Sequence, residues 1–156
     1  MRRHITPLLS LFVLVMLTLA VLSCNKTQDT AKEDIHEIQW ITNLDSALVL
    51  ANEQNKPLMV DFMATWCPPC RMMEDSTFSD PVVIKKSMNF IPVRIDVDKQ
   101  ENIANKYNGN ASKYGGVGIP NILFMTGEEK KLKHPIGYIG AKDFIAIMDS
   151  VLEGVE

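Results

Sequence analysis

The sequence has few of the residues that proteins use to hold metal ions. It contains three cysteines and three histidines among 156 residues. The only closely spaced cysteines are Cys67 and Cys70, and beyond residue 35 the histidines are His36 and His134. A structural zinc site needs four such ligands close together. We therefore expect no metal site, and no sequence pattern implies an organic cofactor.

The chain also lacks a strong excess of charge of either sign. Its formal net charge is −3, whereas a nucleic-acid-binding domain usually shows a basic patch or stripe. We therefore expect no nucleic-acid partner. No internal repeat or low-complexity segment is present, and the length suits one domain with a real core rather than two.

No apolar run is long enough for a typical membrane-spanning helix. The longest, residues 8–22, covers about 15 residues, whereas a bilayer needs roughly 20. Arg2 and Arg3 precede it, and Ser23 and Cys24 follow it, which predicts a secretory signal over residues 1–23. It resembles a bacterial lipoprotein signal, in which the cysteine, here Cys24, becomes the lipidated first residue. The alternative is an uncleaved anchor helix with an incidental cysteine.

Residues 24–35 are mostly polar after Cys24 and are predicted to form a flexible tether. At ~3.5 Å per residue the tether would reach roughly 35–40 Å. It would let the remaining residues, 36–156, form a domain that stands off a membrane and still meets partners in it.

Periodicity and helix-breaking residues predict an alternation of strands and helices over residues 36–156. Strands are predicted at 37–41, 58–64, 90–97, 121–125 and 137–139, and helices at 43–55, from 68 onward, at 81–87, at 99–107 and at 141–152. Residues 108–110 break the fourth helix, and 111–114 are predicted to resume it. This pattern indicates an α/β fold.

Cys67 lies where the strand over residues 58–64 passes into a helix. Pro68 then occupies the first helical position, where proline is tolerated. The unpaired N–H groups and positive dipole end of a helix favour a thiolate, so we expect a depressed pKa and partial exposure for Cys67. Cys70, one turn on, is expected to be more buried and within disulfide reach. The alternatives are a structural disulfide and a metal-binding pair.

The segments Val60-Asp61-Phe62, Trp66-Cys67-Pro68-Pro69-Cys70 and Gly118-Ile119-Pro120 resemble the active-site strand, the redox motif and the cis-proline turn of the thioredoxin superfamily. The flanking Lys56-Pro57 and Thr77–Pro81 are more similar to the C-terminal domain of the bacterial transmembrane thiol:disulfide interchange protein. The resemblance implies a thioredoxin fold, with a mixed central β-sheet and helices on both faces. Pro68 departs from ordinary thioredoxin, which has glycine there.

The resemblance also implies roles for individual residues. Cys67 would be the nucleophile and Cys70 the resolving cysteine, and Asp61 would exchange protons with Cys70. The contact surface for the substrate would include Trp66, Ile119 and Pro120. The alternatives are a structural Asp61, a Trp66 packed in the core and an ordinary loop proline. Arg94 matches a position where many thioredoxins have a lysine near the buried aspartate; it would either tune Asp61 or be a solvated charge.

The function implied is a thiol–disulfide oxidoreductase of the bacterial cell envelope, lipid-anchored and facing the periplasm, which reduces disulfides in client proteins. Its electron donor would be a transmembrane thiol reductant, and its redox group would be the Cys67–Cys70 disulfide. Three alternatives remain from the sequence. The same site could act as an oxidase or isomerase, the domain could be a non-catalytic binding lipoprotein, or the pair could carry a metal as a chaperone.

Overall fold

The computed structural model describes residues 36–154. The predicted signal over residues 1–23, the lipidation site Cys24 and the tether over residues 24–35 lie outside the described residues. Within residues 36–154, every helix is too short or too polar to cross a bilayer.

Five α-helices and four strands make up the described domain. In chain order they are α1 (Leu44–Gln54), β1 (Leu58–Met63), α2 (Pro68–Ser76), α3 (Pro81–Ser87), β2 (Ile91–Asp96), α4 (Glu101–Lys106), a 3-10 turn (Ser112–Tyr114), β3 (Asn121–Met125), β4 (Lys131–Lys133) and α5 (Ala141–Glu153).

The strands form one mixed sheet in the order β2-β1-β3-β4. Strand β1 pairs parallel with β2 and antiparallel with β3, and β3 pairs antiparallel with β4. Because β1 is central, its side chains alternate between two buried faces. Val60 belongs to a hydrophobic cluster that includes residues of α1 and α4, whereas Met59 belongs to a second cluster with residues of α2, α3 and α5. The predicted mixed sheet with helices on both faces is confirmed.

The helix ends follow their local sequence. Asn43 caps α1 by accepting a hydrogen bond from the Ser46 amide at 2.8 Å, and Asn55 ends it in the left-handed conformation. At the start of α3, the side chain of Asp80 accepts from the amides of Val82 and Val83, as an N-cap side chain does. Each cap therefore satisfies an amide that the first helical turn leaves without a partner.

Pro92 lies inside β2 without breaking it. The amide of Ile91 donates to Pro57 on the β1 side, and the next inward amide would be that of Val93. The nitrogen of Pro92 therefore points away from β1. On that outer side, the Ile41 amide donates to the Pro92 carbonyl at 2.9 Å. A proline at this register loses no bond to the central strand, as expected for the outer side of an edge strand.

Two predicted strands differ from the structure. The strand over 37–41 is reduced to a single parallel bridge between Ile41 and Val93. The prediction of a strand over residues 137–139 was wrong. The last strand is β4, Lys131–Lys133, whose exposed lysines are typical of a sheet edge. Beyond it Gly137 has a positive φ of 91°, which ends the extended run.

Candidate active site

The first turn of α2 holds the two cysteines. Cys67 is the N-cap residue, with φ −86° and ψ 107°, and Pro68 and Pro69 follow it in the helix. Because neither proline has an amide hydrogen, the first amide available inside the turn is that of Cys70. It donates to the Cys67 sulfur at 3.2 Å. The helix start is therefore arranged to bring a hydrogen-bond donor to the sulfur of Cys67.

Cys67 and Cys70 form a disulfide, with their Cα atoms 5.3 Å apart. Both residues are buried, with 2% of Cys67 and 5% of Cys70 exposed. The prediction that Cys67 is partly exposed and that Cys70 is the more buried of the two is wrong for this oxidised state. The reason is that both cysteines belong to the first hydrophobic cluster, against which Ile119 also packs. Access to the Cys67 sulfur therefore depends on the residues around the cysteine pair.

The Ile119–Pro120 peptide bond is cis, as the resemblance predicted. Two hydrogen bonds hold this turn. The Gly118 amide donates to the Asn110 carbonyl at 3.1 Å, and the Gly137 amide donates to the Pro120 carbonyl at 2.8 Å. Gly118 has a φ of 114°, a conformation that residues with a side chain rarely adopt. Ile119 packs against the hydrophobic cluster that contains both cysteines, so the turn and the disulfide adjoin the same cluster.

Asp61 is a buried carboxylate in the middle of β1, with 2% of the residue exposed. Burial raises the pKa of Asp61 from 3.8 to about 6, although the nearby charge and hydrogen bond of Arg94 act to lower it. A carboxyl group with a pKa near neutrality can both accept and release a proton under ordinary conditions.

Arg94 is the partner of Asp61, and it is not a solvated charge. Its Nε donates to Asp61 Oδ2 at 3.1 Å, and its Nη2 donates to Glu74 Oε2 at 2.5 Å. The guanidinium carbon also lies 4.2 Å from the ring centroid of Trp40. Glu74 lies one helical turn beyond Cys70 in α2. Arg94 therefore links the buried carboxyl of β1 to the helix that carries the cysteines.

Trp66, the residue before Cys67, lies on the surface with 42% of the residue exposed, so the core-packing alternative is wrong. Its Nε1 donates to Asp98 Oδ2 at 2.5 Å, and the hydroxyl of Tyr114 donates to the other oxygen of Asp98 at 2.6 Å. Both hydrogen bonds lower the pKa of Asp98, and the bond from Tyr114 has the larger effect. The Lys113 ammonium lies 3.6 Å from the centroid of the Trp66 ring.

A family model described as thioredoxin-like matches residues 39–127, which is more than half of the chain. The chain belongs to the thioredoxin-like family. In this thioredoxin-like domain, the disulfide at the start of α2 supports thiol–disulfide oxidoreductase chemistry.

Relatives and solved structures agree with this assignment. The chain is 30% identical over 106 residues to the thiol:disulfide interchange protein DsbD of Campylobacter jejuni, covering 68% of this chain and 18% of that protein. A structure described as DsbH oxidoreductase superposes with a TM-score of 0.63 at 19% identity, covering 86% of this chain and 98% of that one. The oxidised C-terminal domain of Neisseria meningitidis DsbD gives 0.57 at 22% identity, covering 72% and 98%. The chain thus spans about a fifth of the length of its DsbD relative.

Sequence reasoning missed four residues that surround the predicted site residues, and it left Arg94 undecided. The missed residues are Glu74, Asp98, Lys113 and Tyr114. The parallel register pairs Asp61 with Arg94, but this pairing becomes visible only when the register of β1 and β2 is known. Buried and half-buried residues alternate along β2, and Arg94 is one of the half-buried ones. This position alone is only a weak indication that Arg94 pairs with Asp61.

A structural zinc ion would need two further ligands beside the two cysteines. Among residues 36–154, no group of three or more histidine, cysteine, aspartate and glutamate side chains is arranged to bind one.

Proposed function

We propose that the protein is a thiol–disulfide oxidoreductase that reduces disulfides in client proteins. The observation that carries this proposal is the Cys67–Cys70 pair at the N-terminus of α2 in a thioredoxin-like domain, with a cis-proline turn that packs against the same hydrophobic cluster through Ile119. A dithiol in this setting exchanges with disulfides by thiolate attack.

The reaction would run in two steps. The Cys67 thiolate attacks one sulfur of a client disulfide, a bond forms between Cys67 and the client, and the second client sulfur leaves as a thiolate and takes up a proton. Cys70 then gives its proton to Asp61 and attacks the Cys67 sulfur. The first client sulfur leaves as a thiolate and is protonated. The client gains two electrons and two protons, and the pair becomes a disulfide.

Asp61 supports the second step because burial raises its pKa to about 6. In its ionised form it can accept the Cys70 proton and can later return it when the pair is reduced again. Arg94 and Glu74 line an open cleft with residues 36–40, which gives this proton a route toward solvent. Ile119, Pro120 and Trp66 would form the contact surface for the client chain.

The pair must be reduced after each turnover. The likeness to thiol:disulfide interchange proteins supports a transmembrane thiol reductant as the electron donor. The signal over residues 1–23, lipidated Cys24 and the tether over 24–35 would hold the domain at the periplasmic side of a bacterial membrane, within reach of such a donor. Labelling cells with a radioactive fatty acid tests the anchor: the wild-type chain should carry label and a Cys24→Ser variant should not.

Trapping of mixed disulfides tests the chemistry. Cys70→Ser should accumulate covalent client adducts through Cys67 that dithiothreitol releases, because the second step is blocked. Cys67→Ser should form none and should lose all disulfide reductase activity. A binding module would instead keep its partner after Cys67→Ser, and adducts that form equally in both variants would contradict the assigned nucleophile.

The reduction potential of the full-length protein tests the direction. Equilibration of the Cys67–Cys70 pair in graded thiol buffers should give roughly −250 mV or below, near the reducing end of the family. A value of roughly −120 mV would make the protein an oxidase or isomerase instead.

A further inference from the structure

Residues 108–118 connect the two sides of the proposed contact surface. In the middle of the segment, Lys113 stacks on the Trp66 ring, with its ammonium 3.6 Å from the centroid, and Tyr114 shares Asp98 with the Trp66 indole. The three side chains around the indole are thus a cation on one face, a carboxylate at the ring nitrogen and a phenol on that same carboxylate.

The C-terminal end of the same segment leads directly into the cis-proline turn. The Asn110 carbonyl accepts the Gly118 amide at 3.1 Å, and the side chain of Asn121 donates to the Gly118 carbonyl at 3.4 Å. Asn110 is 1% exposed and donates through its side-chain amide to Asn105 at 2.6 Å, so this anchor is itself buried and bonded.

The backbone contacts within the segment leave little room for movement. The Gly116 amide donates to the Ala111 carbonyl at 3.1 Å. A Cβ atom added at Gly116 would lie 2.1 Å from the carbonyl oxygen of Asn110, so the two halves of this loop are in direct backbone contact. The loop is therefore closed on itself, because residues 110–111 are bonded to residues 116–118.

We propose that residues 108–118 act as a clamp that holds the Trp66 indole in a set position relative to the Ile119–Pro120 turn, with Lys113 and Tyr114 as positioning residues for client docking. The proposal rests on the proposed function. Its physical reason is that an exposed aromatic side chain loses rotamer freedom when a partner binds, whereas a side chain already held in place does not. The interaction of a cation with an indole face supplies part of that hold.

The experiment compares Lys113→Met, Lys113→Arg and Tyr114→Phe with the wild-type full-length chain. Lys113→Met keeps the aliphatic stem and removes the charge, Lys113→Arg keeps a cation over the ring, and Tyr114→Phe removes only the bond to Asp98. Lys85→Met is the matched control, since Lys85 is an exposed lysine on α3. None of the three positions carries a proposed catalytic group.

Two readouts separate positioning from chemistry. The first needs no client: the ¹⁵N relaxation of the Trp66 indole, assigned by comparison with a Trp40→Phe variant, reports how tightly the ring is held. The second is the steady-state reduction of a disulfide-bearing peptide beside that of hydroxyethyl disulfide, which is too small to span from Trp66 to the cis-proline turn. The pH profile of Cys67 alkylation is recorded for each variant.

We expect Lys113→Met and Tyr114→Phe to loosen the indole and to raise KM for the peptide by about three- to tenfold, which is the range expected for ordering one side chain. The kcat, the hydroxyethyl disulfide rate and the alkylation profile should stay unchanged, and Lys113→Arg should restore KM. An indole that is held equally in all variants overturns the clamp, as does a loosened indole with an unchanged KM.

A shift in the alkylation profile together with a slower small-disulfide reaction would also overturn the proposal, because Lys113 would then act on the charge of Cys67. If the wild-type protein reduces neither substrate, the proposed function fails and the docking role fails with it, whereas the indole spectra still decide whether the clamp exists.

Discussion

Arg94 donates a hydrogen bond to Asp61 across two neighbouring strands, with Nε 3.1 Å from Oδ2. The two residues are direct partners in the parallel register of β1 and β2. The same guanidinium binds Glu74 at 2.5 Å, so it is shared between a buried carboxylate and one at the surface of α2. Burial and the Arg94 charge act on the pKa of Asp61 in opposite directions, and burial has the larger effect.

Replacing Arg94 should therefore raise the pKa of Asp61 further. Arg94→Gln removes the charge and the Nε donor, both of which lower this pKa, and leaves the burial that raises it to about 6. Titration of the Asp61 carboxyl carbon by ¹³C NMR should show a midpoint above that of the wild-type protein.

The control for this titration is Lys99→Gln. Lys99 is an exposed lysine whose side chain is 76% accessible and pairs with Asp96 instead of Asp61. Its removal should leave the Asp61 midpoint unchanged. An Asp61 midpoint that stays the same or falls in Arg94→Gln would show that the ion pair does not govern the carboxyl.

The pKa of Asp61 also makes stability depend on pH. Because the folded-state pKa is raised from 3.8 to about 6, Asp61 is neutral in both folded and unfolded states below the lower value, and its favourable contribution is lost as the pH rises through the higher one. The shift corresponds to about 3 kcal/mol. Asp61→Asn stays neutral throughout, so relative to wild type it should gain up to this amount between about pH 4 and about pH 8.

Urea unfolding of the oxidised full-length protein at a series of pH values measures this difference. All other titrating groups are shared by the two proteins and cancel in the comparison. Parallel stability curves for wild type and Asp61→Asn would mean that the carboxyl titrates alike in the folded and unfolded chains, and would contradict the raised pKa.

The sequence predicted the parts of the fold that depend on local signals. The cap at Asp80 and the proline at the first helical position set the start of α3, and the apolar run over 58–64 predicted the central strand. The position of Cys67 at the helix start followed from the same kind of signal. These features were predictable because each is decided by residues within one turn or one strand.

The errors concern features that depend on distant residues. The last strand is Lys131–Lys133 because its backbone pairs with Phe124 and Met125, although its own residues are mostly polar. Cys67 is buried through packing that includes Ile119, which lies far along the chain. The cluster of Asp98, Lys113 and Tyr114 around Trp66 likewise forms only when three separate segments are brought together.

The cap of α3 should contribute measurably to stability. Asp80 Oδ1 accepts from the amides of Val82 at 2.8 Å and Val83 at 3.2 Å. Asp80→Ala should lower the free energy of unfolding by about 1 kcal/mol, the usual loss for removal of an N-cap side chain. Gln100→Ala is the matched control, since Gln100 caps α4 without a side-chain hydrogen bond. Equal losses for both variants in urea unfolding would contradict a specific role of the Asp80 carboxylate.

Gly109 allows the chain to pass directly over the central strand. A Cβ atom at this position would lie 2.4 Å from the ring of Phe62, which is fully buried in β1. Neither the ring nor the loop can move far, since the Gly109 amide is bonded to Ala104 at 2.8 Å. Gly109→Ala should therefore destabilise the protein by about 1–3 kcal/mol, the usual cost of adding atoms to a packed core.

The control for Gly109 is Gly154→Ala, because a Cβ atom at Gly154 would meet its nearest neighbour at an ordinary contact distance of 3.5 Å. Thermal unfolding of the two variants separates the steric effect from the loss of backbone freedom that both share. If Gly109→Ala melts no lower than Gly154→Ala, the loop after α4 can move away from Phe62. Residues 108–118 would then be less firmly seated on the sheet than the position of Gly109 indicates, and the hold on Trp66 would have to come from its side-chain contacts alone.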